Sequence, residues 1–290
     1  MTHLLFLIAA FSQVRPPEHI LANGARVEQI VFGTRFAVGP VWIEQIGLTW
    51  SDPIGNGISS WRKGVTTQIS KGGNHPYGRT CDAQGRLLAC EMKSHSIVRS
   101  EPDGRTKTLV DSYQGKRLNG PLDLVVWQDG TIYFTDPQLK GGPTKPELDF
   151  SGVFRLSTDG AVTVVARDLA MPNGICFSND RKKAYVTDST RHCIRSYDVA
   201  PDGSFQSSSL FAYLTGELPG AAAGLKVDRK GNVYCAGPGG VQVFDSSGKY
   251  LGLIFVKDVV TNFCFGDSDR KTLYISAAHG IYRIRLLNAG

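Results

Sequence analysis

The feature that most constrains this chain is a short segment that recurs six times, each copy just upstream of a β-hairpin pattern. The copies are Val38-Gly39-Pro40, Tyr77-Gly78-Arg79, Leu122-Asp123-Leu124, Asn173-Gly174-Ile175, Ala223-Gly224-Leu225 and Asn262-Phe263-Cys264. Their spacing of about 40 to 50 residues is the mark of a closed repeat architecture. The residue that opens each copy differs in character, so the six tips decide what the ring can bind.

The hairpins follow one plan: an apolar run, an acidic turn, then a second β-rich run. Asp82 to Gly85 precedes Leu87 to Cys90, Asp129-Gly130 precedes Thr131 to Phe134, and Asp228 to Gly231 precedes Asn232 to Cys235. Two units keep the Asp without the Gly, at Asp180 and Asp269. Short β-branched and aromatic runs punctuated by Asp, Asn and Gly are what hairpins require. Third strands follow at Ile97 to Arg99, Val153 to Leu156, Ile194 to Tyr197 and Val241 to Phe244. Three or four short strands per unit, without a helical period, predict an all-β, six-bladed β-propeller. Arg26 to Phe32 reads as an early strand that joins the last blade and removes its open edge. A β-sandwich does not need a repeat this regular.

A chain of 290 residues suits one all-β domain, and no linker or low-complexity tract divides it. Residues 25–290 are therefore read as a single propeller. The net charge of +6 is spread along the sequence, and Arg181-Lys182-Lys183 and Arg229-Lys230 sit in hairpin turns as solvated charge. That distribution excludes a nucleic-acid footprint. Leu4 to Phe11 is an apolar run long enough for a signal-peptide core and too short to span a membrane, so residues 1–24 are read as a signal peptide or a flexible N-terminal segment. Export to the periplasm or outside follows if residues 1–12 are a signal peptide, and a cytoplasmic location otherwise. The six cysteines (Cys81, Cys90, Cys176, Cys193, Cys235, Cys264) show no metal-ligand spacing and fall in apolar runs, which reads as buried free thiols.

The sequence holds no Gly-x-Ser-x-Gly elbow, His-Glu-x-x-His, Walker loop or dinucleotide fingerprint. What it does hold is a resemblance. Asn119 to Asp123 with Asp129 to Pro137, Glu147 to Leu156, Pro172-Asn173-Gly174, Gly237 to Val241, and Leu273 to Ile275 with Ile281 to Leu286 resemble, in order and spacing, the gluconolactonase, senescence marker protein and luciferin-regenerating enzyme family. The resemblance implies an axial divalent cation such as calcium or zinc, held by a Glu from the first tip, an Asn from the fourth and an Asp from the fifth. It also implies an Asn from the third tip that helps to bind substrate, and a lactone carbonyl polarised by the metal. Only the fourth-tip Asn survives, as Asn173. Val38, Leu122 and Ala223 stand where the family's Glu, Asn and Asp would be. A calcium-type ion takes about six to eight oxygen ligands, so the expectation is no metal cofactor, with at most a weak site at Asn173.

The expected mouth of the channel is then Val38, Leu122 and Ala223, with Tyr77 amphipathic and Asn173 and Asn262 as amides. Such a mixture suits a small organic ligand. A plugged, inactive channel is the bland reading of the same changes. Strand two of each hairpin returns to the tip side, and its expected ends are Asp52, Glu91, Asp136, Asp188, Gly237 and His279. Each acid there is either an acid-base group or a strand-end carboxylate that accepts backbone N–H bonds. The catalytic candidates are Asp188 as base, His75 as imidazole, Tyr77 and Glu91; Val38, Leu122, Asn173, Ala223, Asn262, Asp136 and His279 are the substrate-binding candidates. Asp123 follows Leu122, and strict alternation would turn it away from the channel as a structural turn ligand. The predicted function is an enzyme acting on a cyclic small molecule, lactone or ester-like and apolar, without the family metal. A metal-free cyclase, isomerase or condensing enzyme, and a non-catalytic ligand-binding propeller, are the alternatives.

Overall fold

Acidic residues at the turns fix the hairpins, because a carboxylate can accept the backbone N–H two residues on and close the reversal. In the computed structural model, Asp82 Oδ1 accepts the Gln84 and Arg86 N–H groups at 3.0 and 2.9 Å, and Asp228 Oδ1 accepts those of Lys230 and Asn232 at 2.9 Å each. The two turns without glycine are shifted. They run Ser178 to Arg181 and Asp267 to Arg270, and an arginine takes the left-handed position, at φ 58° for Arg181 and 57° for Arg270.

Residues 16–55, 57–139 and 145–290 are described. They form six four-stranded antiparallel sheets arranged as blades. The inner strands are Val38–Ile43, Pro76–Cys81, Leu124–Val126, Pro172–Phe177, Leu225–Val227 and Val260–Gly266, for blades one to six in turn. The early strand, Glu28–Phe32, is the outermost strand of blade six and pairs with Gly280–Arg285, from Glu28 opposite Arg283 to Phe32 opposite Gly280. The fold is the six-bladed β-propeller that the repeat predicts. A small added hairpin, Ser112–Tyr113 with Lys116–Arg117, decorates the connection into blade three.

The blades adhere through apolar faces. Tyr133 of blade three stacks on Phe205 of blade four at 5.6 Å, and Trp42 of blade one on Tyr274 of blade six at 5.2 Å. Each such side chain contributes about 1.5–3 kcal/mol when removed from water. The packed region begins earlier than residue 25. Ile20 is fully buried in the cluster of blades five and six, and Leu21 bridges to Leu286. Leu4 to Phe11 lies outside the described residues. Among the described residues no helix is long and apolar enough to cross a membrane.

All six cysteines are free thiols, five of them buried and Cys81 partly so. Burial pushes the Cys176 and Cys264 thiols up to about 12.

Candidate active site at the axial mouth

Every inner strand begins with an irregularity. Leu122 N–H donates to the Thr135 carbonyl and Thr135 N–H to the Asp123 carbonyl, both at 3.0 Å, so two residues oppose one. Ala223 and Gly224 oppose Ala236 in the same way, and the register shifts at the equivalent place in blades one, two, four and six. A bulge of this kind re-aims side chains and interrupts alternation. The tip residue and the one after it therefore form two successive levels of the axis.

The upper level is Val38, Tyr77, Leu122, Asn173, Ala223 and Thr261. Gly78 N–H donates to the Leu122 carbonyl at 2.8 Å and Gly224 N–H to the Thr261 carbonyl at 3.1 Å, which gives Leu122 and Thr261 the same place in neighbouring blades. The sixth tip is thus Thr261, and the sequence alignment that put Asn262 there is one residue off. With no glycine in Asn262-Phe263-Cys264, the pattern had nothing to fix its register. Val38 and Leu122 are buried yet belong to none of the five interblade clusters, as expected of residues that line the axis. Asn173 Nδ2 donates to Ser189 Oγ at 3.1 Å, and Ser189 Oγ donates to the Ala222 carbonyl at 2.5 Å. This chain fixes the amide and presents its Oδ1 as acceptor. Tyr77 is half-buried, with its ring against the core of blades two and three, and burial raises its hydroxyl pKa. It is a neutral donor at any ordinary pH. Thr261 donates its hydroxyl to the Ala37 carbonyl at 2.6 Å.

The lower level is Gly39, Gly78, Asp123, Gly174, Gly224 and Asn262. Asp123 and Asn262 come from opposite blades and meet across the axis, Asn262 Nδ2 lying 3.4 Å from Asp123 Oδ2. Alternation does not turn Asp123 away from the channel, because the bulge intervenes. Asn262 Oδ1 accepts the Phe263 N–H at 2.8 Å and faces Lys226 Nζ at 3.5 Å. The room comes from glycine. A Cβ on Gly78 would sit 2.5 Å from Asp123 Oδ1, and one on Gly224 2.1 Å from Asn262 Oδ1.

Strand-two ends are occupied otherwise than as a ring of free acids. Asp188 accepts the N–H groups of Ala170, Met171, Thr190 and Arg191 and an Arg191 guanidinium contact at 3.2 Å, so it ties two loops together. Asp136 is fully buried and accepts the Asn119 and Gly120 N–H groups at 2.8 and 2.7 Å. Burial raises its carboxyl to about 7 against those two donors. Asp52 holds Arg35 N–H and Gly55 N–H, and Glu91 accepts Asn74 Nδ2 at 2.9 Å and Ser94 Oγ at 2.7 Å. The sixth strand ends at Ala277 rather than His279. His279 is exposed in the following turn, with Nδ1 3.1 Å from Asp258 Oδ1. His75 is exposed at φ 53°, and its carbonyl takes the Met92 N–H at 3.2 Å beside Glu91. Of the predicted residues, the fold brings Val38, Tyr77, Leu122, Asn173 and Ala223 to one ring and sets Asn262 beneath it. Sequence reasoning missed Thr261, the cross-axis place of Asp123, and Lys226; the signal for Lys226 was a lone cation three residues past an inner-strand tip.

Comparison with known proteins agrees with this architecture. Residues 36–279 match the family described as the SMP-30/gluconolactonase/LRE-like region. A gluconolactonase of Zymomonas mobilis is 32% identical over 301 residues, covering 93% of this chain and 84% of that protein. A solved gluconolactonase from Xanthomonas campestris superposes with a TM-score of 0.87 at 33% identity, covering 94% of each chain. A luciferin-regenerating enzyme shares the fold at a TM-score of 0.79 and 19% identity, over 92% of this chain and 97% of that one.

Proposed function

The chain belongs to the SMP-30/gluconolactonase/LRE-like family, and from that premise we propose that it hydrolyses a lactone of apolar character at the axial mouth, without a divalent cation. Gluconolactonase relatives support the lactone-hydrolase class. The observation that carries the finer reading is the upper ring, where Val38, Leu122 and Ala223 alternate with the polar tips Tyr77, Asn173 and Thr261. A polyhydroxylated sugar lactone would leave hydroxyls unpaired against those three walls, at about 1–3 kcal/mol each. An alkyl or aryl lactone would instead bury its ring carbons there, and Tyr77 and Asn173 would orient its ester group.

The donor set does not fit the family cation. The upper ring offers the Asn173 carbonyl, the Tyr77 hydroxyl and the Thr261 hydroxyl, and no carboxylate. A hard divalent ion is held by several oxygens, anionic ones among them. In this reading the chain's own residues do the work. The apolar wall limits the water that reaches the ester, the fixed Asn173 amide sets its orientation, and Tyr77, kept protonated by burial, donates to the carbonyl oxygen as negative charge grows there.

The test is a hydrolysis panel of alkyl, aryl and sugar lactones, run with and without a chelator. Apolar lactones should be turned over in both conditions. Turnover of sugar lactones alone, or loss of activity on chelation, would overturn the reading.

A further inference from the structure

Asp123 differs from the other buried carboxylates. Asp136, Asp188 and Asp228 each close a turn or loop through two or more backbone N–H groups. Asp123 closes none. It is 2% exposed, accepts the adjacent Leu124 N–H at 3.0 Å, is faced by the Ile175 N–H, and turns Oδ2 across the axis toward Asn262, which leaves one of its four lone-pair sites for a water. The Asn262 amide is fixed by the Phe263 N–H, so its Nδ2 points to Asp123 and its Oδ1 to Lys226. The result is a relay of carboxylate, amide and ammonium, one residue below the apolar mouth. Lys226 Nζ also meets the Leu225 carbonyl at 3.1 Å.

Resting on the hydrolase reading above, we propose that Asp123 is the proton-transferring residue of this pocket, and that Asn262 and Lys226 are the positioning residues that keep it ionised in place of the family cation. Asp123 takes a proton from a water whose oxygen adds to the lactone carbonyl carbon. The tetrahedral adduct collapses with cleavage of the ring C–O bond, and Asp123 returns the proton to the departing alkoxide. One water is consumed and one hydroxy acid forms, with no other reactant. The groups facing Asp123 are Lys226 from blade five, Cys90 from blade two and Cys176 from blade four. Both thiols are held neutral by burial, so Lys226 supplies the charge that acts on it. Burial pushes the Asp123 carboxyl up, and Lys226, with the Leu124 N–H, Asn262 and the Ile175 N–H, opposes that rise only in part, which leaves the group a better proton acceptor than an exposed carboxylate.

The experiment uses the full chain and whichever lactone the wild type hydrolyses fastest. Asp123→Asn should lower kcat by about 100-fold or more, the ordinary worth of a general base, with little change in KM. Lys226→Met should move the acid limb of the pH–rate profile to higher pH, and Lys226→Arg should move it back. Carbon-detected NMR of the labelled Asp123 carboxyl should show the same upward move in Lys226→Met, a readout that does not need turnover. If Asp123→Asn fails to fold, the Lys226 variants and the NMR titration still decide. Retained activity in folded Asp123→Asn, or an Asp123 titration indifferent to Lys226, would overturn this inference alone. A wild type inactive on every lactone would overturn the hydrolase reading on which it rests.

Discussion

Asp136→Asn should change how stability depends on pH, and the direction can be worked from the site. The native carboxyl is raised from an ordinary 3.8 to about 7 by burial. Below pH 3.8 it is protonated in both the folded and unfolded chain. Between there and about 7 the unfolded chain has released the proton and the folded one keeps it, so stability falls as pH rises through that window. At about 1.4 kcal/mol per unit over roughly three units, the loss is at most about 4 kcal/mol. The Asn variant has no such titration. The Asn119 and Gly120 N–H groups go to different oxygens of Asp136, so in the variant one of them faces an amide NH2 in place of an acceptor, which costs about 1–3 kcal/mol at any pH. The variant should therefore be the less stable protein at pH 5, should gain on the wild type up to about pH 7, and should hold a constant gap above that. Urea denaturation at four pH values, compared as differences, isolates this group from every other titration. A gap that stays constant throughout, or widens with pH, would refute the argument and show that the two N–H donors hold Asp136 ionised.

Gly224→Ala should cost about 1–3 kcal/mol, since its Cβ would fall 2.1 Å from Asn262 Oδ1 and 2.8 Å from Asn262 Cα. Gly85→Ala, in open space at φ 76°, should cost only the left-handed strain of about 1–2 kcal/mol, and thermal melts of the two variants compare them directly. Val38→Glu with Ala223→Asp places two carboxylates at the tips flanking the axis with Asn173. That double variant should melt lower than wild type and recover with calcium, by about 2.7 kcal/mol at a hundredfold excess over Kd. Calcium should leave the wild-type melt unmoved.

The sequence made the hairpins legible because their turns depend on local chemistry: Asp82 and Asp228 bond their own backbones, and the strands between are β-branched and aromatic. Blade count followed from the spacing of the tips and the strand pattern between them, and the closing strand from the open edge the last blade would otherwise leave. The axis was harder to read. Its geometry depends on a bulge at each tip, which pairs Leu122 and Asp123 with one residue and defeats simple alternation. The sixth tip carries no glycine, so Asn262 could not be told from Thr261 without the neighbouring Gly224 hydrogen bond. Strand-end acids looked alike in one dimension, yet the loops that Asp136 and Asp188 hold come from distant positions. The packing of Ile20 against blade six was invisible for the same reason: its partners lie at the other end of the chain.

That last pairing bears on how the molecule is made. Blade six takes three strands from the end of the chain and one from near its start, so Glu28 must wait for Arg283, 255 residues later, before their 2.9 Å contact can form. During synthesis, blades one to five can assemble in order of emergence. The strand Glu28–Phe32 then remains an unpaired edge until Gly280–Arg285 has left the ribosome. Loop-closure entropy makes this final pairing slow, though only logarithmically dependent on the length enclosed. Moving the chain ends by circular permutation into the Pro102-Gly104 turn would give blade six a continuous strand order, shift the late step to blade two, and make the two refolding rates a direct reading of the cost of closing the ring.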